Sequence, residues 1–226
     1  LVVSGDVLVR AGGKLPPVPE ADVVCYGLWT EAEQAVNHGV FFISRDDQSG
    51  TTLDFMLQKP DAGRIAGLSR SHYYLMDVGL WLLSDRAMEV LRRRSTDADG
   101  SCRFYDLYSD FGCALGGNPS AIDPEVASLS VAVVPLRDGE FYHFGTTSQL
   151  ISSTLALQNI VADQRRIIHN RAKPNPALFV QNCIMGTRLT GSNNNVWIEN
   201  SYVGPRWRLT QENVVTGVPE NDWPLE

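Results

Sequence analysis

Short apolar runs alternate with helix-like segments through residue 165, and this alternation is the feature that most constrains the fold. The runs that predict strands are Val23–Tyr26, Gly39–Ser44, Tyr73–Leu83, Leu129–Pro135 and Phe141–Phe144. The segments that predict helices are Thr30–Asn37, Ser84–Arg94, Tyr105–Leu115 and Thr147–Gln164. Strands that alternate with helices are typical of an α/β sheet. The nearly continuous apolar run Tyr73–Leu83 predicts the central strand of that sheet.

The pattern changes after the sequence KPNP at 173–176, because helix-like segments stop and Asn, Gly, Thr and Val become frequent. Large apolar residues then recur every six positions, at Trp197, Val203, Leu209 and Val215. A six-residue period with one inward side chain per step is typical of a parallel β-helix. An irregular β-sheet is the alternative. The sequence therefore predicts two domains, over residues 1–165 and 174–226.

Composition and charge exclude several classes of function. The 226 residues are 43% hydrophobic, enough for a sizeable core, and the net charge of -7 argues against a general nucleic-acid surface. An anionic substrate is still compatible with this charge, since lysines and a bound divalent cation can reverse the sign inside a pocket. No apolar run approaches the roughly 20 residues that span a bilayer, and no signal peptide is visible. Four scattered cysteines without a CxxC pair favour reduced thiols in a cytoplasmic protein.

Two charged residues stand where predicted strands end. Asp6 follows the apolar run Leu1–Val3, so we expect its carboxylate at the C-terminal end of a buried strand, where open α/β sheets bind ligands. Lys59 ends the segment LDFMLQKP, whose apolar–polar alternation predicts a half-buried strand. A compact ammonium group suits a phosphate as a point charge. Together the two residues predict one cavity for phosphates and a metal ion.

Several motifs follow one another in a characteristic order: SGD, ADVVCYG, NHGVF, LDFMLQKP, LMDVGLWLLSD and FYHFGTTSQL. This series resembles the sugar-phosphate nucleotidyltransferases, which implies a truncated Rossmann-like sheet followed by the start of a left-handed parallel β-helix. The motifs YDLYSDFG, KPNPALFVQN, WIENSYVGP and VPENDW more closely resemble the fucose-1-phosphate guanylyltransferase domain, which occurs alone or fused to L-fucokinase. The resemblance covers essentially the whole chain. It implies nucleotidyl transfer from GTP to L-fucose 1-phosphate, giving GDP-L-fucose and pyrophosphate.

The resemblance also implies roles for individual residues. Asp6 matches the aspartate that binds the catalytic Mg²⁺, a hard cation that bridges carboxylate and phosphate oxygens. Lys59 matches the lysine that pairs with the phosphate of the sugar 1-phosphate. Gln58 stands where many relatives place a glutamate that binds sugar hydroxyls, and Gly39 matches a glycine whose backbone lies against the sugar. Asp77 stands where relatives often have an asparagine facing the sugar, and a buried structural carboxylate is the alternative.

Two histidines complete the implied site. His143 lies in the sequence HFGT, where relatives commonly carry an aspartate as second metal ligand. Because Mg²⁺ prefers oxygen ligands, metal ligation by His143 and a structural or phosphate-binding role are both open. His38, beside Gly39, is a candidate contact for the sugar or its phosphate. The sequence predicts His72 and His169 as surface histidines.

The resemblance also places parts of the activity outside the sequence. A glycine-rich loop that cradles the triphosphate is implied ahead of the metal aspartate, and the chain opens at Leu1 without it. We therefore expect a fragment that is inactive alone, with a kinase portion beyond Glu226 if the parent is bifunctional. The β-helix is a candidate surface for a homo-oligomer, and no nucleic-acid or membrane partner is expected.

Other functions are compatible with the same residues. A non-catalytic scaffold or regulatory domain of the same fold is one alternative, favoured by His143 in place of an aspartate. Nucleotidyl transfer to another hexose 1-phosphate is a second. An acyltransferase that shares the β-helix is a weaker one, because such enzymes need more turns than residues 174–226 can hold.

Overall fold

The computed structural model describes residues 1–161 and 178–223. The predicted helix end at Gln164, the KPNP turn and His169 lie outside the described residues. Within the described part of the chain, no helix is both long and apolar enough to cross a membrane.

The chain divides into two compact units, formed by Leu1–Gly5 with Val9–Phe141 and by Asp6–Leu8 with Tyr142–Glu226. The strands up to residue 143 are β1 (Val2–Val3), β2 (Val7–Arg10), β3 (Val23–Leu28), β4 (Gly39–Ser44), β5 (Phe55–Gln58), β6 (His72–Leu83), β7 (Val131–Pro135) and β8 (Glu140–His143). Six of them form a sheet in the first unit, ordered β5–β4–β6–β3–β7 with β1 also paired to β6, and β2 pairs with β8 separately. β3 and β7 are parallel, whereas the other pairs of this sheet are antiparallel. The predicted α/β sheet and its central strand are confirmed.

Strand β6 is long enough to pair with three neighbours. Its first half pairs with β4 as far as Met76, and its second half pairs with β1 at Leu80 and Trp81. β3 pairs along both halves, so β4 and β1 share the opposite edge of β6. The segment between Asp77 and Gly79 therefore lies between the part of β6 that pairs with β4 and the part that pairs with β1.

Two strands near the candidate residues form, but their burial differs from the prediction. The run Leu1–Val3 is not a buried strand, because β1 has two residues and the Val3 side chain is 53% exposed. Asp6 therefore follows a short edge strand. The apolar–polar alternation that predicts β5 also fails, because both faces of the sheet are covered: Met56 is buried on one face, and Phe55 packs on the other.

The helices of the first unit are α1 (Ala32–Ala35), α2 (Ala62–Leu68), α3 (Asp85–Arg94) and α4 (Pro124–Ala127). α3 matches its prediction, and the Ser84 hydroxyl accepts a hydrogen bond from the Ala87 amide at its start. α1 is shorter than predicted and begins after Glu31 rather than Thr30. The short α4 was not expected from the sequence.

The segment predicted as a helix over 105–115 forms a π-helical turn, Leu107–Phe111, followed by a 3-10 turn, Gly112–Ala114. The Asp106 carboxylate accepts hydrogen bonds from the amides at the start of the π turn. At Gly112 a Cβ would lie 2.7 Å from Met56 Sδ, so this backbone rests directly on the sheet. The close approach explains why a regular helix does not continue here.

Two apolar clusters cover the two faces of this sheet. One contains Phe41, Met56, Leu75 and Trp81 together with residues of α3 and of the π turn. The other contains Tyr26, Val40, Phe42 and Met76 together with Ile65 of α2. Strands buried on both faces contain nearly continuous apolar runs, which is what the sequence of β3, β4 and β6 shows.

The second unit combines α5 (Thr147–Val161) with short strands: β9 (Leu178–Gln181), β10 (Ile184–Met185), β11 (Val196–Glu199), β12 (Tyr202–Val203) and β13 (Val214–Thr216). β9, β11 and β13 form one parallel sheet, and β10 and β12 form another. Partners stand 18 positions apart in the β9–β11 and β10–β12 pairs, as with 178 and 196 or 184 and 202, and 17 apart in the β11–β13 pair. The six-residue period therefore corresponds to stacked parallel strands, with three periods between successive layers.

The core of the second unit matches the predicted period in part. Val203 is fully buried, and Leu209 and Val215 pack against the same cluster. Trp197 does not belong to this cluster, because Val196 and Ile198 on either side of it point inward. The Trp197 ring instead lies 5.1 Å from that of Phe179 in the neighbouring layer.

Successive layers turn at residues with left-handed backbone conformation. Asn182, Asn200 and Gly217 have φ values of 51°, 46° and 66°, which glycine and asparagine tolerate best. The Asn182 Nδ2 group donates to Asn200 Oδ1 at 2.7 Å, so the side chains of two stacked turns are also bonded.

Candidate active site

A row of residues crosses four strands of the sheet in the first unit. Gly27 on β3 stands opposite Asp77 on β6, and Gly39 on β4 stands opposite Gln58 on β5. The β4–β6 ladder continues the row, and the Asp77 Cβ lies 3.4 Å from where a Cβ of Gly39 would be. Residues directly opposite in antiparallel pairs present their side chains to one face. The structure therefore brings together three predicted site residues: Gly39, Gln58 and Asp77.

Asp77 is a buried carboxyl group at the point where β4 gives way to β1. Only 4% of the residue is exposed, and burial raises its pKa to about 7. Its Oδ1 accepts hydrogen bonds from the Gly79 amide at 2.9 Å and from Trp81 Nε1 at 3.0 Å, which lower the pKa in part. Both bonds go to one oxygen, and no described residue donates to Oδ2.

Gly79 allows the chain to turn back towards Asp77. Its φ of 67° is left-handed, a region where side chains other than glycine are strained. A Cβ at this position would also lie 2.6 Å from the Ser4 Cβ. The Ser4 amide donates to the Gly79 carbonyl at 2.8 Å, which ties the residue after β1 to this left-handed position in β6.

Gly39 has a packing reason to be glycine. A Cβ there would overlap the Met56 methyl group and lie 3.2 Å from Gln58 Oε1. The space beside its backbone is thus already occupied by protein side chains. Gln58 Oε1 is itself buried and has no hydrogen-bond partner among the described residues. The sugar-facing role of Gly39 stays a prediction, whereas its tight packing is observed.

Lys59 follows β5 in an unusual backbone conformation. Its φ is 50°, its side chain is exposed, and its amide donates to the His38 carbonyl at 3.0 Å. Pro60 comes next and is buried, and Asp61 then caps α2. The left-handed residue therefore ends the strand abruptly. The His38 ring lies edge-on to Phe141, with ring centroids 5.2 Å apart.

Asp6 and His143 lie together in the second unit. His143 Nε2 is 3.1 Å from Asp6 Oδ2, with the two side chains 23% and 46% exposed. The backbone around them is also tied, because the Asp6 carbonyl accepts from the Phe144 amide and the His143 carbonyl accepts from the Ser153 hydroxyl. A Cβ at Gly145 would lie 2.8 Å from His143 Nε2, so any larger residue there would displace the imidazole.

Asp6 and Lys59 belong to different compact units, and their sharing of one cavity stays a prediction. Among the described residues there is no group of three or more His, Cys, Asp or Glu side chains that could hold a metal ion. A cavity of about 510 Å³ in the first unit is lined by Ser49, Thr52 and Ser130 among others, and by none of the candidate residues.

His72 is not the surface histidine that the sequence predicts. Its side chain is 14% exposed, and its Nε2 lies 2.9 Å from Asp54 Oδ2. The other oxygen of Asp54 accepts from Asn118 Nδ2 at 2.6 Å. The cluster joins the start of β6 to the loop before β5.

Trp81 contacts a candidate residue in a way that the sequence did not indicate. It is buried and donates to Asp77 across the left-handed Gly79 within β6. The sequence feature that indicates this contact is DVGLW, in which an acid and a tryptophan lie on either side of a glycine within one strand.

The comparisons with known proteins support the resemblance in the motifs. No family model matches the chain. All 226 residues align at 54% identity with a Bacteroides fragilis protein named L-fucokinase/L-fucose-1-P guanylyltransferase, of which they cover 24%. The chain thus spans about a quarter of the curated relative that it matches, and it is a homologue of that part.

Among solved structures, mannose-1-phosphate geranyltransferase from Thermus thermophilus superposes with a TM-score of 0.41. The superposition covers 87% of this chain and 51% of that one at 15% identity. A superposition at this level carries no argument about fold or function.

Proposed function

We propose that this chain is part of a guanylyltransferase that joins GTP and L-fucose 1-phosphate into GDP-L-fucose and pyrophosphate. The 54% identity along the whole chain to a protein named for this activity supports the proposal. In the reaction, a phosphate oxygen of the sugar phosphate attacks the α-phosphorus of GTP. The bond from that phosphorus to the bridging β-phosphate oxygen breaks, and pyrophosphate leaves.

The observation that carries the proposal is a pair of acceptor atoms beside Gly39. Within the described residues, Gln58 Oε1 is buried without a hydrogen-bond partner, and the two hydrogen bonds to Asp77 both go to Oδ1. A buried acceptor left without a partner costs about 1–3 kcal/mol, which a hydroxyl group of a ligand can recover. We assign Gln58 Oε1 and Asp77 Oδ2 to hydroxyl groups of the sugar, with His38 at the edge of the same site.

Lys59 supplies the positive charge in the proposed reaction. A lysine in left-handed conformation costs about 1–2 kcal/mol, and such strain is common where function fixes the backbone. We assign its ammonium group to the phosphate of the sugar 1-phosphate, whose negative charge it balances. The exposure of the side chain is compatible with a ligand that enters from solvent.

Asp6 fits a magnesium ion. Mg²⁺ is usually bound through one or two carboxylates together with substrate phosphates, so a single partly exposed carboxylate is sufficient. Because Mg²⁺ prefers oxygen over imidazole, we assign His143 the role of orienting Asp6 through their 3.1 Å contact. When bound, the ion neutralises charge on the reacting phosphates.

We also propose a fold for the second unit, a parent protein and a cellular location. We infer that the stacked strands of the second unit are the first turns of a left-handed β-helix and a candidate surface for homo-oligomer assembly. The relative's name includes L-fucokinase, so we propose a bifunctional parent protein. GTP is the proposed nucleotide substrate, and the cytoplasm is the proposed location.

The proposal is tested by pyrophosphate release from the complete protein that carries this chain. We expect release that requires GTP, L-fucose 1-phosphate and Mg²⁺ together, and that falls strongly when UTP or glucose 1-phosphate replaces its counterpart. Release with glucose 1-phosphate instead of the fucose compound would redirect the proposal to another hexose. No release with any pair of substrates would favour a non-catalytic scaffold.

A further inference from the structure

The Trp81 indole is fixed in place by aromatic neighbours. It is 1% exposed, and its ring centroid lies 6.1 Å from Phe41, 5.9 Å from Tyr108 and 6.5 Å from Phe111. A buried indole N–H needs an acceptor, and here it donates to Asp77 Oδ1. Because the surrounding rings fix the donor, they also fix the point where Oδ1 receives it.

A second donor reaches the same oxygen from the backbone. The Gly79 amide donates to Oδ1 at 2.9 Å, and its position follows from the left-handed turn at that residue. Turning the plane of the carboxylate away from these two donors would break both bonds. Its neighbours across the strands, Gly27 and Gly39, present no side chains to the carboxylate.

We propose that Trp81 is a positioning residue of the sugar site, whose indole N–H holds Asp77 so that Oδ2 faces a sugar hydroxyl. This rests on the proposed function and extends it to a side chain that does not itself touch the substrate. Trp81 acts through Asp77 alone, so its removal affects the sugar phosphate and not GTP.

The first test compares Trp81→Phe with wild type in the complete protein. We expect the KM for L-fucose 1-phosphate to rise about five- to tenfold, as for the loss of one hydrogen bond, with the KM for GTP unchanged. On an Asp77→Ala background, Trp81→Phe should add nothing further, because the residue it positions is gone. Phe41→Leu is the matched control, since it loosens the same ring cluster and keeps the N–H.

Trp81→His is the second variant, because it leaves at least as much empty volume as Phe but retains a ring N–H. We expect it to recover a clear part of the lost affinity for the sugar phosphate. Binding of L-fucose 1-phosphate measured by calorimetry should follow the same order as the KM values.

Three outcomes would overturn the positioning role while wild type remains active. One is an unchanged KM for the sugar phosphate in Trp81→Phe, and another is an equal rise in Phe41→Leu. The third is a further rise from Trp81→Phe on the Asp77→Ala background. A wild-type protein that releases no pyrophosphate would instead overturn the proposed function and this inference together.

Discussion

Replacing Lys59 by glycine separates the chemistry of its side chain from the strain of its backbone. Both Lys59→Gly and Lys59→Ala remove the ammonium group assigned to the sugar phosphate. A charge-assisted hydrogen bond contributes about 2–3 kcal/mol, so kcat/KM for L-fucose 1-phosphate should fall about 30- to 150-fold in each. The two variants differ in how they tolerate a φ of 50°.

The difference in stability can be worked from the backbone. Glycine relieves about 1–2 kcal/mol of left-handed strain and loses about 0.5–1 kcal/mol through the greater freedom of the unfolded chain. Lys59→Gly should therefore be more stable than Lys59→Ala by up to about 1.5 kcal/mol, whereas their activities should be equally low. Urea unfolding and pyrophosphate release on the complete protein measure the two quantities.

Lys14→Ala is the matched control, because Lys14 is also exposed but does not have a left-handed backbone. It should retain wild-type kcat/KM. The reasoning is refuted if Lys59→Gly retains most of the activity that Lys59→Ala loses, since the side chain would then act through backbone conformation. Wild-type kcat/KM in both variants would remove Lys59 from the site altogether.

Asp77→Asn should flatten the pH dependence of stability. The pKa of Asp77 is about 7 in the folded protein against 3.8 for the ordinary group. The protonated carboxyl group therefore adds to the free energy of unfolding, fully below pH 3.8, and this stabilisation is lost as the pH rises through 7. In urea unfolding the variant should gain stability over wild type at pH 8 but not at pH 3.5, and an equal gain at both would contradict the assignment. Gly39→Ala should cost about 1–3 kcal/mol through overlap with the Met56 methyl, seen as a lower thermal midpoint, and Met56→Ala in the same chain should reduce that cost. Asp6→Asn should raise the Mg²⁺ concentration for half-maximal pyrophosphate release at least tenfold, and His143→Gln should raise it less; a larger effect of His143→Gln would favour direct ligation.

The elements that the sequence predicted well are those whose local signals agree with their surroundings. β4 and α3 match their predicted bounds, because continuous apolar residues fit a doubly covered sheet and Ser84 caps its helix. The segment 105–115 could not be predicted in the same way. Its turn type depends on how closely Gly112 approaches Met56, a contact with a distant strand.

The candidate site was predictable as a set of residues but not as a geometry. The resemblance named Gly39, Gln58 and Asp77, and the strand register places them in one row. The contact between Trp81 and Asp77 could not be predicted, because residues four positions apart in a regular strand are too far apart to form a hydrogen bond. The left-handed backbone at Gly79, next to the residues of β6 that pair with β1, makes that contact possible.

Strand β1 is only two residues long, yet it covers part of the edge of the central strand β6. It covers the backbone of Leu80 and Trp81, and the Ser4 amide closes the same edge at Gly79. A chain shortened by its first four residues would leave these amide and carbonyl groups open beside apolar side chains. Such an edge attracts the strands of other copies, so the shortened protein would self-associate at concentrations where the original stays dispersed.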